Sequence, residues 1–288
     1  MNIRVGSRKS ALAMKQTEAV INVLKAHFPT DTFEIVGIST KGDKRLDRTL
    51  QSFGGKGVFI KELETALLNG EINMAVHSAK DMPVEMTDNL EISAALMRDD
   101  RTDVLVCSGD TKTCEIKVIG TGSARREAQA RHLFPDAVFK PIRGNIYTRL
   151  EKLKHREYDA VIMAKAAINR LDITDIQIMP LGDDFICAAG QGILAVETVR
   201  GKMKKYTDAI NETTTMTELI AERAFLKFVG GGCNAPCGAS AVCDGQNITM
   251  SIFYGDTKSE IRFSMCGDNP IKLGKKMAVK ALKIAEEN

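Results

Sequence analysis

The segment Ile3-Arg4-Val5-Gly6-Ser7-Arg8-Lys9-Ser10, running through an amphipathic stretch into Phe33-Glu34-Ile35-Val36-Gly37-Ile38, decides the fold class. A short β-type run over residues 3–5, helical periodicity over 10–27 and a second β-rich run over 33–38 spell strand, helix, strand. Two strands joined through a helix lie parallel in one sheet. Working outward, Phe59, Leu63, Ala66 and Leu67 recur at helical spacing and stop at Asn69-Gly70, and a strand follows over 72–76. A second series begins with a strand over 104–107. It continues with a strand over 117–120, a helix over 124–133, a strand over 138–142, a helix over 145–156 and a strand over 160–163. Beyond residue 211 the grammar changes. Thr215 and Glu218 have capping-box spacing for a helix through Phe228, and two strands alternate over 248–254 and 260–265. A lysine-rich terminal helix carries Leu273, Met277, Ala281 and Ala285 on one face. The expectation is two parallel-sheet α/β units and a smaller α+β unit. Residues 41–57, rich in Gly, Lys, Arg and Asp, show no periodicity and read as a mobile surface loop or lid.

At 288 residues, with 44% apolar and 27% charged side chains, the chain is long enough for two or three cores and too apolar for disorder. Forty basic against 37 acidic residues leave a net charge of +3, and aromatic residues are 5% with no Trp. Neither bulk positive charge nor stacking platforms therefore mark a nucleic-acid binder. No apolar run approaches the eighteen or so residues that span a membrane. The first residues enter a strand pattern without a basic leader and apolar core, so export is not expected. Seven cysteines, at 107, 114, 187, 233, 237, 243 and 266, are odd in number and scattered, unlike a secreted disulfide framework. The expected location is the cytoplasm, with reduced thiols.

Seven of the sixteen arginines, at positions 125, 126, 131, 143, 149, 156 and 170, fall within 46 residues. Arg125-Arg126 follow Gly120-Thr121-Gly122-Ser123, where a strand should feed a helix N-terminus, and planar guanidinium groups beside free amides there suit a carboxylate or phosphate. Solvated helix faces are the alternative, and the better reading of Arg131 and Arg156. Gly54-Gly55-Lys56-Gly57 lacks the Walker spacing, and Gly120-Thr121-Gly122 lacks the third glycine of a dinucleotide fingerprint, so neither ATP nor NAD is expected. In Gly230-Gly231-Gly232-Cys233-Asn234-Ala235-Pro236-Cys237, three glycines clear space around a thiol. Covalent attachment of a bulky group and an inert buried thiol both remain open for Cys233. No metal is expected, because Cys233, Cys237 and Cys243 lack a Cys-x2-Cys pair and no histidine lies near. Val76-His77-Ser78-Ala79-Lys80-Asp81-Met82-Pro83 sits past the C-terminal end of a strand, where α/β folds place active sites. Asp81 is a candidate acid or base with Lys80 beside it, a turn-stabilising aspartate being the alternative, and His77 reads as structural.

Taken with Gly6-Ser7-Arg8-Lys9-Ser10-Ala11-Leu12-Ala13, Lys61-Glu62-Leu63-Glu64, Arg143-Gly144-Asn145 and Ala189-Gly190-Gln191-Gly192, these motifs resemble the porphobilinogen deaminase, or hydroxymethylbilane synthase, family from Arg4 to about Ala241. Ala11 stands where a proline is usual in that family, Gly122 where serine is frequent, and Cys237 where an aliphatic residue is common.

The resemblance implies a transferase of tetrapyrrole (haem) biosynthesis that joins four porphobilinogen molecules head to tail with loss of ammonia and releases hydroxymethylbilane. It implies a dipyrromethane primer held by a thioether to Cys233, and a catalytic Asp81 that stabilises cationic azafulvene intermediates and assists proton transfer. Cofactor-binding roles fall by motif position on Lys80, Thr121, Ser123, Arg125, Arg126 and Arg170, and substrate-binding roles on Arg8, Gln16, Lys56, Arg143 and Arg149. Arginine forks suit the acetate and propionate of every pyrrole unit. The implied fold is two periplasmic-binding-protein-like α/β domains, at 1–97 with 193–210 and at 98–192, plus a smaller α+β domain at 211–288 that bears the cofactor. A cytoplasmic monomer with no nucleic-acid or membrane partner is implied, its product passing to uroporphyrinogen III synthase.

Overall fold

The computed structural model describes residues 1–39, 60–107, 116–231 and 236–287. The loop read over 41–57 and the residues Lys56 and Cys233 lie outside these. In chain order the elements are β1 (Asn2–Arg8), α1 (Ala11–His27), β2 (Thr32–Ile38), α2 (Lys61–Leu68), β3 (Met74–Ser78) and β4 (Leu90–Ala95). Then come β5 (Asp103–Cys107), β6 (Val118–Gly120), α3 (Ala124–Leu133), β7 (Val138–Lys140), α4 (Ile146–Lys154), β8 (Ala160–Ala164), α5 (Lys165–Arg170) and β9 (Gln177–Pro180). The last are β10 (Leu194–Val199), α6 (Lys204–Ile210), α7 (Thr213–Phe228), β11 (Cys237–Cys243), β12 (Ile248–Gly255), β13 (Glu260–Gly267) and α8 (Pro270–Glu287). The chain divides into two compact units, Met1–Asp99 with Ile193–Leu219, and Asp100–Gly192 with Ile220–Asn288.

In the first unit a five-stranded sheet has the order β2-β1-β3-β10-β4. Ser10 starts α1 by accepting from the Ala13 amide at 3.3 Å, and Lys25 and His27 in its last turn oppose the exposed carbonyls. One sheet face packs Ile3, Val5, Met74 and Val76 on Val20, Ile21 and Leu24 of α1, and the other packs Ala75 and Leu90 on Leu63, Ala66 and Leu67 of α2. Helices on both faces explain why β3 is buried along four of its five residues rather than alternating.

The second unit repeats this plan in the order β7-β6-β8-β5-β9, with Ala130 of α3 against one face and Leu153 of α4 against the other. It also holds the antiparallel sheet β11-β12-β13, covered by Ala221 and Phe225 of α7 and by Leu273, Met277, Ala278 and Ala281 of α8. The two helices meet at Gly274, where a Cβ would lie 2.5 Å from the Ala221 carbonyl. The architecture is α/β, with two five-stranded sheets flanked by helices and a smaller α+β part.

Three details differ from the sequence expectations. Both large sheets are mixed rather than parallel, because β10 runs antiparallel to β3 and β4, and β5 antiparallel to β8 and β9. Burial on both faces gives β5 and β10 the same unbroken buried run as a parallel strand, so periodicity does not report their direction. Helix α7 is not started by a Thr215-Glu218 box. The Glu212 carboxylate takes the amides of Thr214 and Thr215 at 3.2 and 2.6 Å, while Glu218 is drawn to the buried Arg98 at 3.1 Å. On α8 the buried stripe ends at Ala281, and Ala285 is exposed.

Candidate active site in two parts

In the first unit the site forms at the carboxyl ends of the parallel neighbours β1 and β3, the edge at which α/β sheets gather ligands. After β3 the chain makes one 3-10 turn, Ala79–Asp81, closed by the Met82 amide donating to the Ala79 carbonyl at 3.2 Å. Ala79 and Met82 are buried with Ile193 and Leu219, and the Ala79 amide donates to the Ile193 carbonyl at 3.0 Å. Pinning both ends leaves Lys80 half-buried and Asp81 exposed. Among the described residues no group binds the Asp81 carboxylate, so the turn is held by backbone and apolar contacts rather than by that side chain. Gln16, buried on α1, donates to Ser78 Oγ at 2.8 Å and ties the helix to the residue before the turn. Arg8 ends β1, half-buried, its carbonyl accepting from the Ser7 hydroxyl at 3.0 Å.

Behind the turn, His77 Nε2 lies 3.0 Å from Glu197 Oε2, both side chains buried, which joins β3 to β10. His77 is thus a structural residue. Glu64 of α2 is buried nearby, and burial raises its carboxyl above the ordinary value, with the Glu197 charge adding to the shift.

The second unit places Thr121, Ser123, Arg125 and Arg126 at the start of α3. Thr121 Oγ1 accepts from the Ser123 amide at 3.2 Å, and Ser123 Oγ caps the helix by accepting from the Arg126 amide at 3.4 Å. Two arginines in a first helical turn add to a positive helix end rather than offset it, which concentrates positive potential there. Both are buried and share the fully buried Asp103. Arg125 Nη2 meets Oδ2 at 2.6 Å, and Arg126 meets Oδ1 through Nη2 at 2.7 Å and Nε at 3.0 Å. The outer branches reach carbonyls, Arg125 that of Ile186 at 2.5 Å and Arg126 that of Ile162 at 2.9 Å.

Arg149 of α4 is half-buried, its Nε donating to the Gly144 carbonyl at 3.0 Å. Burial and the Arg126 charge lower its pKa, the sign of a cation short of negative charge. Arg170 at the end of α5 donates to the Gly192 carbonyl at 2.5 Å, and Arg143 is exposed before α4. Near the cysteine motif, Gly238 follows Cys237 on β11. A Cβ there would come within 2.7 Å of the Cys187 carbonyl, 2.9 Å of that of Ile186 and 3.0 Å of Arg125 Cδ. Only glycine lets the strand following the motif lie against the arginine.

Sequence reasoning passed over Asp103, Gln129 and Glu222. Gln129 grips Ile186 in both directions, at 3.0 and 2.8 Å, and buried Glu222 receives the amides of Gly190 and Ala241 at 2.6 and 2.7 Å. The available signal was a charged residue at the head of an otherwise apolar strand, Asp103 before Val104-Leu105-Val106. A buried carboxylate needs compensating partners, and the nearby arginines supply them. Among the described residues no cluster of His, Cys, Asp and Glu is arranged for a metal ion, and no helix is long and apolar enough to cross a membrane.

The family description "Porphobilinogen deaminase, dipyromethane cofactor binding domain" matches residues 3–207, and "Porphobilinogen deaminase, C-terminal domain" matches 216–283. The chain belongs to the porphobilinogen deaminase family. A porphobilinogen deaminase of Acetivibrio thermocellus is 38% identical over 99% of this chain and 100% of its own length. That of Bacillus subtilis is 41% identical over 96% of this chain and 91% of its own, and that of Alkaliphilus metalliredigens 42% identical over 92% and 87%. The donor set fits the dipyrromethane of this family. The primer presents carboxylates, and the start of α3 offers two guanidiniums against one protein carboxylate, with a third, undercompensated cation in Arg149.

Proposed function

We propose that the chain works as a hydroxymethylbilane synthase, a transferase that condenses four porphobilinogen molecules on a covalent dipyrromethane primer, releasing ammonia and then hydroxymethylbilane. The observation that carries this is the excess of buried arginine over carboxylate at the start of α3, Arg125 and Arg126 against the single Asp103. Such an excess is costly unless a ligand supplies the missing negative charge. Thr121, Ser123, Arg125, Arg126, Arg170 and Lys80 hold the primer carboxylates, and Cys233 is its point of attachment. Arg8, Gln16, Lys56, Arg143 and Arg149 receive the incoming pyrrole and the growing chain. When bound, the primer supplies the free pyrrole carbon to which each new unit is joined.

Asp81 is the catalytic carboxylate. Exposed and without a partner among the described residues, its oxygens are available to a pyrrole N–H and to proton exchange. Functionally the chain divides at 1–97 with 193–210, at 98–192 and at 211–288. The protein acts as a cytoplasmic monomer without nucleic-acid or membrane partners, handing its product to uroporphyrinogen III synthase. The test supplies purified protein with porphobilinogen alone. Ammonia release with formation of a linear tetrapyrrole is the expected outcome, and binding of porphobilinogen without either product would contradict it.

A further inference from the structure

Asp103 is fully buried at the head of β5, so it cannot itself meet a bound molecule, yet three side chains from two segments converge on it. Both arginines come from the first turn of α3, and Gln191 of the turn before β10 donates to Oδ1 at 2.9 Å and to the Arg101 carbonyl at 2.8 Å. A lysine would need only to be near an anion, whereas a guanidinium fork must be turned into its plane. That orientation is what Asp103 supplies, by taking Nε and Nη2 of Arg126 on one oxygen and Nη2 of Arg125 on the other.

Resting on the assignment of Arg125 and Arg126 as holders of the primer, we infer that Asp103 is the positioning residue of this cationic site. It fixes both guanidinium planes from the buried side and cancels one of their two charges, leaving one net positive charge for an organic carboxylate. The same contacts reach the strand that follows the cysteine motif. Arg125 binds the Ile186 carbonyl, and the Ile186 and Cys187 carbonyls pack with Arg125 against Gly238. A shift of Asp103 is therefore passed to both the carboxylate-binding end and the strand entering after residue 236.

The test compares Asp103→Asn with the wild type and with Glu218→Gln, which weakens the equally buried Arg98–Glu218 pair in the other unit. Each full chain is purified, its folding checked by thermal melting, and its covalent primer occupancy read by intact mass before turnover is measured. In folded Asp103→Asn, primer occupancy or primer retention is expected to fall about 10-fold or more, and any loaded fraction to show a raised KM for porphobilinogen. Glu218→Gln should lose thermal stability while staying loaded, which separates positioning from general weakening. If Asp103→Asn does not fold, Gln191→Met, which removes one donor to the same oxygen, should give a smaller loss of occupancy in the same direction. Full occupancy with wild-type KM in Asp103→Asn, or in Gln191→Met where that variant must stand in, would overturn the inference. Arg126→Leu keeps the two failures apart. If it loses the primer while Asp103→Asn does not, only the role of Asp103 falls. If it stays loaded and active, the arginine assignment falls and takes Asp103 with it.

Discussion

The two five-stranded sheets follow one plan, four strands running one way with one, β10 or β5, inserted antiparallel among them, yet they treat charge in opposite ways. At the end of β3 the first sheet exposes a carboxylate, Asp81, on a turn held entirely by other groups. At the start of α3 the second buries two cations and locks them to a shared carboxylate. The contrast follows from the work. A proton-handling group must be reachable and is best left without a fixed partner, whereas a fork that recognises carboxylates must be held in orientation before the ligand arrives. The same arrangement of strands thus supplies a reactive edge in one unit and a binding edge in the other.

The sharpest way to break this comparison is Asp81→Asn, which keeps shape and removes charge. Turnover should fall roughly 100-fold or more, on the scale of removing a well-placed transition-state charge. Because the side chain holds nothing in the turn, the melting temperature should stay at the wild-type value. A variant reconstituted with preformed hydroxymethylbilane, loaded by mass and still turning over normally, would make Asp81 a bystander. A smaller effect is expected on the binding edge, where Arg149→Leu should lower kcat/KM about 10- to 100-fold and stall elongation. Exposed Arg131, paired with Glu127 one helical turn away and lying over the Phe139 ring, should tolerate Arg131→Gln with near-wild-type kinetics. Equal behaviour of the two variants would remove the distinction between binding arginines and solvated ones.

Much of this was legible in the chain because local rules were obeyed locally. Ser123, Arg125-Arg126 and the apolar positions after them place α3 at Ala124–Leu133, and Asn69-Gly70 marks the end of α2. The directions of β5 and β10 were not legible, since their partners come from distant parts of the chain and nothing in Val104-Leu105-Val106 or Leu194-Ala195-Val196 encodes orientation. Asp103 escaped for the same reason. Its partners lie 22, 23 and 88 residues away, and a lone aspartate at a strand head looks like any loop residue until the fold closes over it.

The smallest expected effect concerns stability rather than chemistry. Burial alone would raise the Glu212 carboxyl, but hydrogen bonds from Thr214 and Thr215 outweigh it and lower the pKa from an ordinary 4.5 to about 2. A carboxylate whose folded pKa is depressed stabilises the fold fully above its unfolded pKa and loses that contribution as pH falls through the folded value. The melting-temperature gap between wild type and Glu212→Gln should therefore be constant above about pH 5 and shrink between about pH 4.5 and 2. A gap that does not change with pH would mean that the cap acts by shape alone.

The central claim, that the cationic edge exists to hold a primer anchored on a cysteine, is tested most directly by peptide mapping of the purified protein. One dipyrromethane is expected per chain, on the peptide containing Cys233, and its loss in Cys233→Ser, because a hydroxyl is a far weaker nucleophile than a thiolate. An adduct mapped to Cys237, or active protein carrying none, would contradict the account.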